Sequence, residues 1–460
     1  MLEPAVRSAL EQALGADRVF ADDASLRLYS ADETPRHVIP AAVLFPATHE
    51  QVVELVQIAY AHRLALVPRG AGSGNVGGAL PVPNGLVVSF ECMNRIVEFD
   101  PVNRLMVVEP GVVTEHIDQL ARSQGLFYPP DPGSSPYCRI GGNLAMNAAG
   151  PRAVKYGVTR DFVLGLRAVT GDGREIRTGC RTTKGVTGYD LTRLLVGSEG
   201  TLALITEATL KLLPAPEAIT TLRLCYRSNH AALEAVQRVM QQSVLPCALE
   251  FMDRRAIDVI RPTGAADDLP GDTRALLMVE ADGAAADLPR QIAALKSALQ
   301  GEGLLELKEE IRRDEALRLW AARKSLSHAV KQIAPLKINE DVVVPVSRLA
   351  EFVDYIDQLA NHHKLPIVSF GHAGNGNLHV NLMVHPDDAE EMQRAHGALD
   401  DLFKKTLALG GTLSGEHGIG SEKRAYVPLE IDAPTLALMR AIKLQFDPAG
   451  ILNPGKLFPD

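Results

Sequence analysis

The chain has 460 residues, of which 46% are hydrophobic and 22% charged, enough for two or three globular domains with ample core. The net charge of −9 excludes the basic footprint of a nucleic-acid binder, and no apolar run reaches the ~18 residues of a membrane span. The five cysteines (Cys92, Cys138, Cys180, Cys225, Cys247) are scattered without a Cys-x-x-Cys pair, which argues against disulfides, iron–sulfur clusters and thiolate zinc and fits a reducing compartment.

In chain order, residues 1–20 carry Glu3, Arg7, Glu11, Asp17 and Arg18 in a helical rather than a signal-peptide pattern. Thr48-His49-Glu50-Gln51 resembles a capping box, and Val52, Val53, Val56, Ala59 and Tyr60 behind it recur at helical spacing. A short apolar strand at 64–67 then leads into Pro68-Arg69-Gly70-Ala71-Gly72-Ser73-Gly74-Asn75-Val76-Gly77-Gly78. Gly72, Gly74 and Gly77 spell G-x-G-x-x-G, but Gly78, Pro81, Pro83, Asn84 and Gly85 forbid the helix that a dinucleotide fingerprint needs. The free amides of such a run can still form a nest for a pyrophosphate; a plain glycine-rich turn is the competing reading.

Strands are expected at 87–90 and 105–111 and a helix at 114–123. Two further small-residue loops are expected at 129–135 and 140–152, then a turn and a strand over 194–206. Three such loops so close together suggest backbone approaching a large flat ligand.

Together these stretches resemble the FAD-binding flavoproteins related to vanillyl-alcohol oxidase and p-cresol methylhydroxylase. More narrowly, they are similar to the glycolate oxidase FAD subunit and the D-lactate and D-2-hydroxyglutarate dehydrogenases. The likeness runs from about Ala41 to Phe458 and rests on PRGAGSG, PPDPGSS, IGGNLAMNAAGPRAVKYGVTRD, LLVGSEGTLALIT and FDPAGILNPGK. It implies an α+β protein with a two-part FAD-binding domain of the p-cresol methylhydroxylase type and a cap domain whose antiparallel sheet is flanked by helices. The expected boundaries are 1–214 for the FAD domain, 215–425 for the cap and 426–460 for a segment returning to the FAD domain. The resemblance assigns FAD contact to Pro68, Arg69, Gly70, Ala71, Gly72, Ser73, Gly74 and Asn75, and also to Pro132, Ser134, Gly141, Gly142, Asn147, Gly150, Gly157, Gly200 and Ile205. Asn453 matches a position near the flavin ring. Ser73 stands where relatives with histidyl-linked FAD carry a histidine, so the cofactor is expected to be non-covalent.

Pro214 and Pro216 mark a boundary, after which strands (221–226, 275–280) alternate with helices (231–241, 288–301). Arg323, in Leu319-Trp320-Ala321-Ala322-Arg323-Lys324, reads alone as a solvated helical arginine, whereas the resemblance makes it the substrate arginine. The relatives that take 2-hydroxyglutarate carry Lys-Tyr-Asp where this chain has Lys337-Ile338-Asn339-Glu340-Asp341, which weakens the glutarate reading.

His372 and His379 lie seven residues apart around a Gly/Asn-rich run, followed by a strand-like tail at 378–384. Imidazole suits zinc and similar metals, and Ser414-Gly415-Glu416-His417-Gly418-Ile419-Gly420 offers a carboxylate and a spare histidine. We read His372, His379 and Glu416 as ligands of a divalent metal, zinc by preference, and His417 as the general base. Asn381, two residues beyond His379 on the same strand face, is a substrate contact by that periodicity.

The expected activity is oxidation of a D-2-hydroxy acid, D-lactate or glycolate before D-2-hydroxyglutarate, to the 2-oxo acid. A metal-dependent hydrolase using the same ligands is the alternative of another class. The electron acceptor is open among quinone, cytochrome, electron-transfer flavoprotein and a partner subunit. A homodimer and a cytoplasmic location, with or without peripheral attachment to the inner membrane, complete the expectations.

Overall fold

The structure, a computed structural model, describes residues 2–264, 266–310 and 313–459. They form two compact units: Met1–Ala149 with Gly157–Ala215 and Glu416–Asp460, and Gly150–Tyr156 with Pro216–Gly415.

The first unit begins with a helix, Pro4–Leu14, and the capped helix His49–His62, in which the Thr48 side chain accepts from the Gln51 amide. Val52, Leu55, Val56 and Ala59 recur at helical spacing and pack against Val6, Leu10 and Leu14 and against Leu44, Leu66 and Val88. Those last residues belong to a four-stranded sheet ordered Val19–Phe20, Ala42–Leu44, Leu86–Ser89, Leu66–Arg69, in which the last three strands run parallel. Parallel strands are covered on both faces, which is why Val43 and Leu44, Leu66 and Val67, and Leu86, Val87 and Val88 are apolar and buried without alternation. The C-terminal tail ties onto the edge strand, since the Leu66 amide donates to Ile451 and the Asn453 amide to the Leu66 carbonyl. A five-stranded antiparallel sheet follows, ordered Ile96–Asp100, Leu105–Val108, Ala203–Lys211, Val163–Thr170, Glu175–Gly179.

The second unit is built on seven antiparallel strands, ordered Leu304–Glu310, Ala218–Tyr226, Ala275–Gly283, Ala248–Asp253, Ile367–His372, Asn377–Val384, Leu336–Val343. On one face, Met252, Met278, Val368, Phe370 and Met383 pack against the helices Arg254–Ile260 and Arg313–Ala329 through Ile257, Ile260, Leu319, Ala322 and Leu326.

One local expectation is corrected. Residues 140–146 form a helix, Ile140–Met146, where a loop was expected; the Asn143 amide reaches the Arg139 carbonyl, and Gly141 presses so closely on Pro110 that a side chain would not fit. His372 ends a strand, and the Gly/Asn run is a tight connection through Ala373–Asn375 to the next strand. Among the described residues, no helix is long and apolar enough to cross a membrane.

Candidate active site

In the first unit the expected cofactor residues gather around the strand end at Pro68. A side chain on Gly200 would collide with the Pro68 ring, and the positive φ of Gly200 (69°) independently favours glycine. A Cβ on Gly70 would meet Arg139 Cβ at 3.2 Å and the Gly142 amide nitrogen at 3.5 Å, so the first glycine run lies directly against the helix start at 140. Gly74 and Gly142 instead border open space. Asn453, itself at φ 42°, donates from Nδ2 to the carbonyls of Gly78 (3.0 Å) and Glu199 (2.7 Å). Its Oδ1 is buried without a hydrogen-bond partner among the described residues.

Other expected positions also make contacts within the chain. Arg69 turns inward: its Nη1 donates to Ala31 (2.6 Å), its guanidinium covers the Tyr29 ring at 5.4 Å, and burial lowers its pKa. Asn147 caps the short helix in the left-handed region (φ 53°) and accepts from the Arg160 amide. Pro132 and Ser134 form a turn closed by the amides of Ser135, Tyr137 and Cys138. Gly157 packs against Asp161, and Ile205 pairs with Ala168 within the five-stranded sheet. Ala71 is exposed, and Ser73 and Asn75 are half-buried in the open part of the glycine run. Gly150 belongs to the second unit.

The segment carrying Glu416 and His417 is an irregular bend anchored at both ends. Before it, Ser414 Oγ and the Gly415 amide donate to the Asp341 carboxylate at 3.1 and 2.9 Å within the second unit. After it, the amides of Ile419 and Gly420 donate to the two oxygens of Glu199, each at 2.7 Å, within the first unit. Glu199 is buried, and desolvation raises its pKa against the pull of those two amides and of Lys456 and Lys423.

In the second unit, strand register sets a polar row on the sheet face covered by the helix Arg313–Ala329. Glu250 lies opposite His372, Phe370 opposite His379, and Asp341 and Asn339 opposite His379 and Asn381. Residues directly opposite in a ladder share a face. The His372 and His379 rings stand edge to face with centroids 5.3 Å apart. His372 Nδ1 is 2.6 Å from Glu250 Oε1, and His379 Nδ1 lies 3.9 Å from Asp341 Oδ1.

Arg323 enters from the helix, with Nη2 2.6 Å from Glu250 Oε2 and its guanidinium 4.7 Å from the Phe370 ring centre. That ion pair is close but off-axis, so Nη2 makes no aligned hydrogen bond, and Nε is also buried without a partner among the described residues. Burial drives the Glu250 carboxyl upward, but the His372 ring and the Arg323 guanidinium outweigh it and hold its pKa below the ordinary value. One turn earlier, Trp320 Nε1 donates to Glu280 at 2.5 Å, fixing the same helix on the same face.

Asn381 has no exposed surface, and its amide is used internally. Oδ1 accepts from Asn339 Nδ2 at 2.6 Å, and Nδ2 donates to the carbonyls of Val368 and His379. Asn381 thus braces the strand on the face where a substrate contact is expected. Lys337 Nζ donates to Ser327 Oγ and to the Ser327 carbonyl near the end of the helix. Sequence reasoning missed Glu250, although a lone carboxylate inside the otherwise apolar run 247–252 is a usable signal.

The sequence matches two family descriptions: "FAD binding domain" over residues 40–179 and "FAD linked oxidases, C-terminal domain" over 215–457. The glycolate oxidase subunit GlcD of Bacillus subtilis (strain 168) is 39% identical over 459 residues, covering 100% of this chain and 97% of that protein. A D-2-hydroxyglutarate dehydrogenase of Stutzerimonas stutzeri (strain A1501) is 33% identical over 100% of both chains. A D-lactate dehydrogenase of Anaerostipes hadrus is 34% identical over 91% of this chain and 89% of its own. The crystal structure of p-cresol methylhydroxylase with substrate bound superposes with a TM-score of 0.81 over 98% of this chain and 96% of that one; at 16% identity this likeness concerns the fold.

Proposed function

This chain belongs to the FAD-linked oxidases, and from that premise we propose that it oxidises a D-2-hydroxy acid, D-lactate or glycolate by preference, to the 2-oxo acid. The observation that carries the reading is the buried row of Glu250, His372 and His379 on one sheet face, with Arg323 set over it from the covering helix.

The residues fit both FAD and a divalent cation. Open backbone at Gly74 and Gly142 and the unpartnered Oδ1 of Asn453 suit a flavin dinucleotide held without a covalent link. His372 turns its Nδ1 to a carboxylate, and a ligating histidine in that arrangement binds its metal through Nε2. His379 and Glu416 would complete a set of two imidazoles and one carboxylate, a donor set suited to zinc. FAD would take up the two electrons released at the substrate carbon, and the cation would make the α-hydroxyl more acidic.

The chain itself must then anchor, orient and deprotonate. Arg323 offers its guanidinium, braced by Phe370 and Glu250, to the substrate carboxylate. His417, in the bend between the Asp341 and Glu199 anchors, accepts the hydroxyl proton. The domain reading remains 1–214, 215–425 and 426–460. The electrons leave through a quinone, a cytochrome, an electron-transfer flavoprotein or a partner subunit.

D-2-hydroxyglutarate is the second reading, favoured by the 33% identical relative; engagement of Lys337 with Ser327 weighs against it, because a distal carboxylate needs a free cation. Anaerobic mixing with D- and L-lactate, glycolate and D-2-hydroxyglutarate tests both. Bleaching of the flavin by a D-acid is expected; no bleaching by any of them would overturn the oxidase reading. His417→Ala should lower kcat by roughly 10²–10⁴ with zinc retained. Loss of zinc together with activity would make His417 a ligand instead.

A further inference from the structure

We propose that Glu250 is a positioning residue that couples the imidazole of His372 to the guanidinium of Arg323, so that one buried carboxylate sets both the metal-binding tautomer and the substrate clamp. This rests on the reading of His372 as a ligand given above.

Glu250 has no exposed surface and sits in a strand near the middle of the seven-stranded sheet. A carboxylate there is costly unless both oxygens are used. Oε1 is 2.6 Å from His372 Nδ1, and Oε2, which accepts no aligned hydrogen bond, is 2.6 Å from Arg323 Nη2 in an ion pair. Toward His372 the carboxylate can only accept, so the neutral ring carries its proton on Nδ1 and keeps the Nε2 lone pair for a cation. Toward Arg323 the same group fixes one edge of the guanidinium, whose face lies over Phe370 and whose Nε stays free of partners among the described residues.

Glutamine has nearly the same shape but cannot do both. With its oxygen toward Arg323, its NH₂ faces Nδ1, which moves the His372 proton to Nε2 and removes the lone pair. With its oxygen toward His372, its NH₂ faces the guanidinium, donor against donor. The carboxylate, not the volume, is therefore what the position requires.

The test is a double-mutant cycle on the full chain with FAD bound. Zinc affinity is read by chelator competition for the wild type, Glu250→Gln, Arg323→Ala and the double variant, alongside thermal midpoint and flavin content. Glu250→Gln is expected to weaken zinc binding by about 10–100-fold, the range found when the carboxylate behind a ligating histidine is lost. Arg323→Ala should shift zinc affinity when Glu250 is present and leave it unchanged in the Glu250→Gln background, because only the carboxylate connects them. Zinc affinity of folded Glu250→Gln within about two-fold of wild type, or effects that simply multiply, would overturn the coupling.

Nitrogen NMR of histidine-labelled, zinc-free wild type needs no variant. A proton on His372 Nδ1 is expected, and an Nδ1 that carries none would refute the proposal even if Glu250→Gln failed to fold. A wild type that binds no zinc in the competition assay would remove the ligand reading itself, a failure distinct from a wild type and a Glu250→Gln variant that bind it equally.

Discussion

Glu199→Gln isolates the part of the first unit that holds the bend carrying His417. The Glu199 carboxylate is 3% exposed and accepts from the amides of Ile419 and Gly420, each at 2.7 Å. Glutamine keeps the shape but presents one acceptor and one donor, so one of those amides must meet an NH₂. An amide deprived of its acceptor in a buried site costs about 1–3 kcal/mol. For a unit of roughly 250 residues that lowers the melting midpoint by a few degrees to about 10 °C. The loss falls two residues from His417, so the base is held less firmly, and a displacement on the order of 1 Å at a reacting group can cost up to about 10²-fold in rate. Scanning calorimetry of the flavin-bound protein should show the lower midpoint, and steady-state turnover of D-lactate should show kcat reduced by about 10–100-fold. A midpoint within about one degree of wild type together with unchanged kcat would refute the reasoning, because it would mean that the two bonds neither stabilise the bend nor position its histidine.

Four further outcomes are expected. Arg323→Lys keeps the charge beside Glu250 but loses the planar fork, so kcat/KM for the acid should fall by the equivalent of about 1.5–3 kcal/mol with FAD content unchanged; a wild-type value would free Arg323 from substrate binding. Lys456 is buried with its Nζ on the Leu80 carbonyl, and burial pulls its pKa down from 10.5 to about 8 against the opposing pull of Asp32. The folded protein therefore bears a charge penalty below about pH 8 that lifts as pH rises toward 10.5, so wild-type stability relative to Lys456→Met should climb by roughly 3 kcal/mol across that window; a flat difference would show that the amine is solvated. Acid precipitation should leave the yellow colour in the supernatant, and chelation should abolish turnover while the flavin stays bound. Colour in the pellet would refute the non-covalent link, and full activity without metal would refute the cation's role.

How much of this was legible in the sequence follows the range of each interaction. The helix after Thr48 and the apolar parallel strands depend on neighbours a few residues away, so capping chemistry and hydropathy were enough to expect them. The segment 140–146 was read as a loop because two adjacent glycines normally break a helix; here the tight approach of Gly141 to Pro110 requires the missing side chain, and a contact across 31 residues outweighs local propensity. Asn381 was placed on the correct strand face by period two, but that periodicity cannot reveal that Asn339 and two carbonyls already use its amide.

Glu250 shows the same limit most clearly. Its partners lie 122 and 73 residues downstream, so nothing near it in the chain announces a role. What the sequence does show is a carboxylate where an apolar residue would stabilise the sheet more. Such a misfit is evidence that something distant compensates for it. Here the compensation comes from an imidazole and a guanidinium, the two groups the proposed chemistry needs held still. A lone acid within a buried strand is therefore better treated as half of an unseen contact than as noise, and the register of the neighbouring strands identifies the other half.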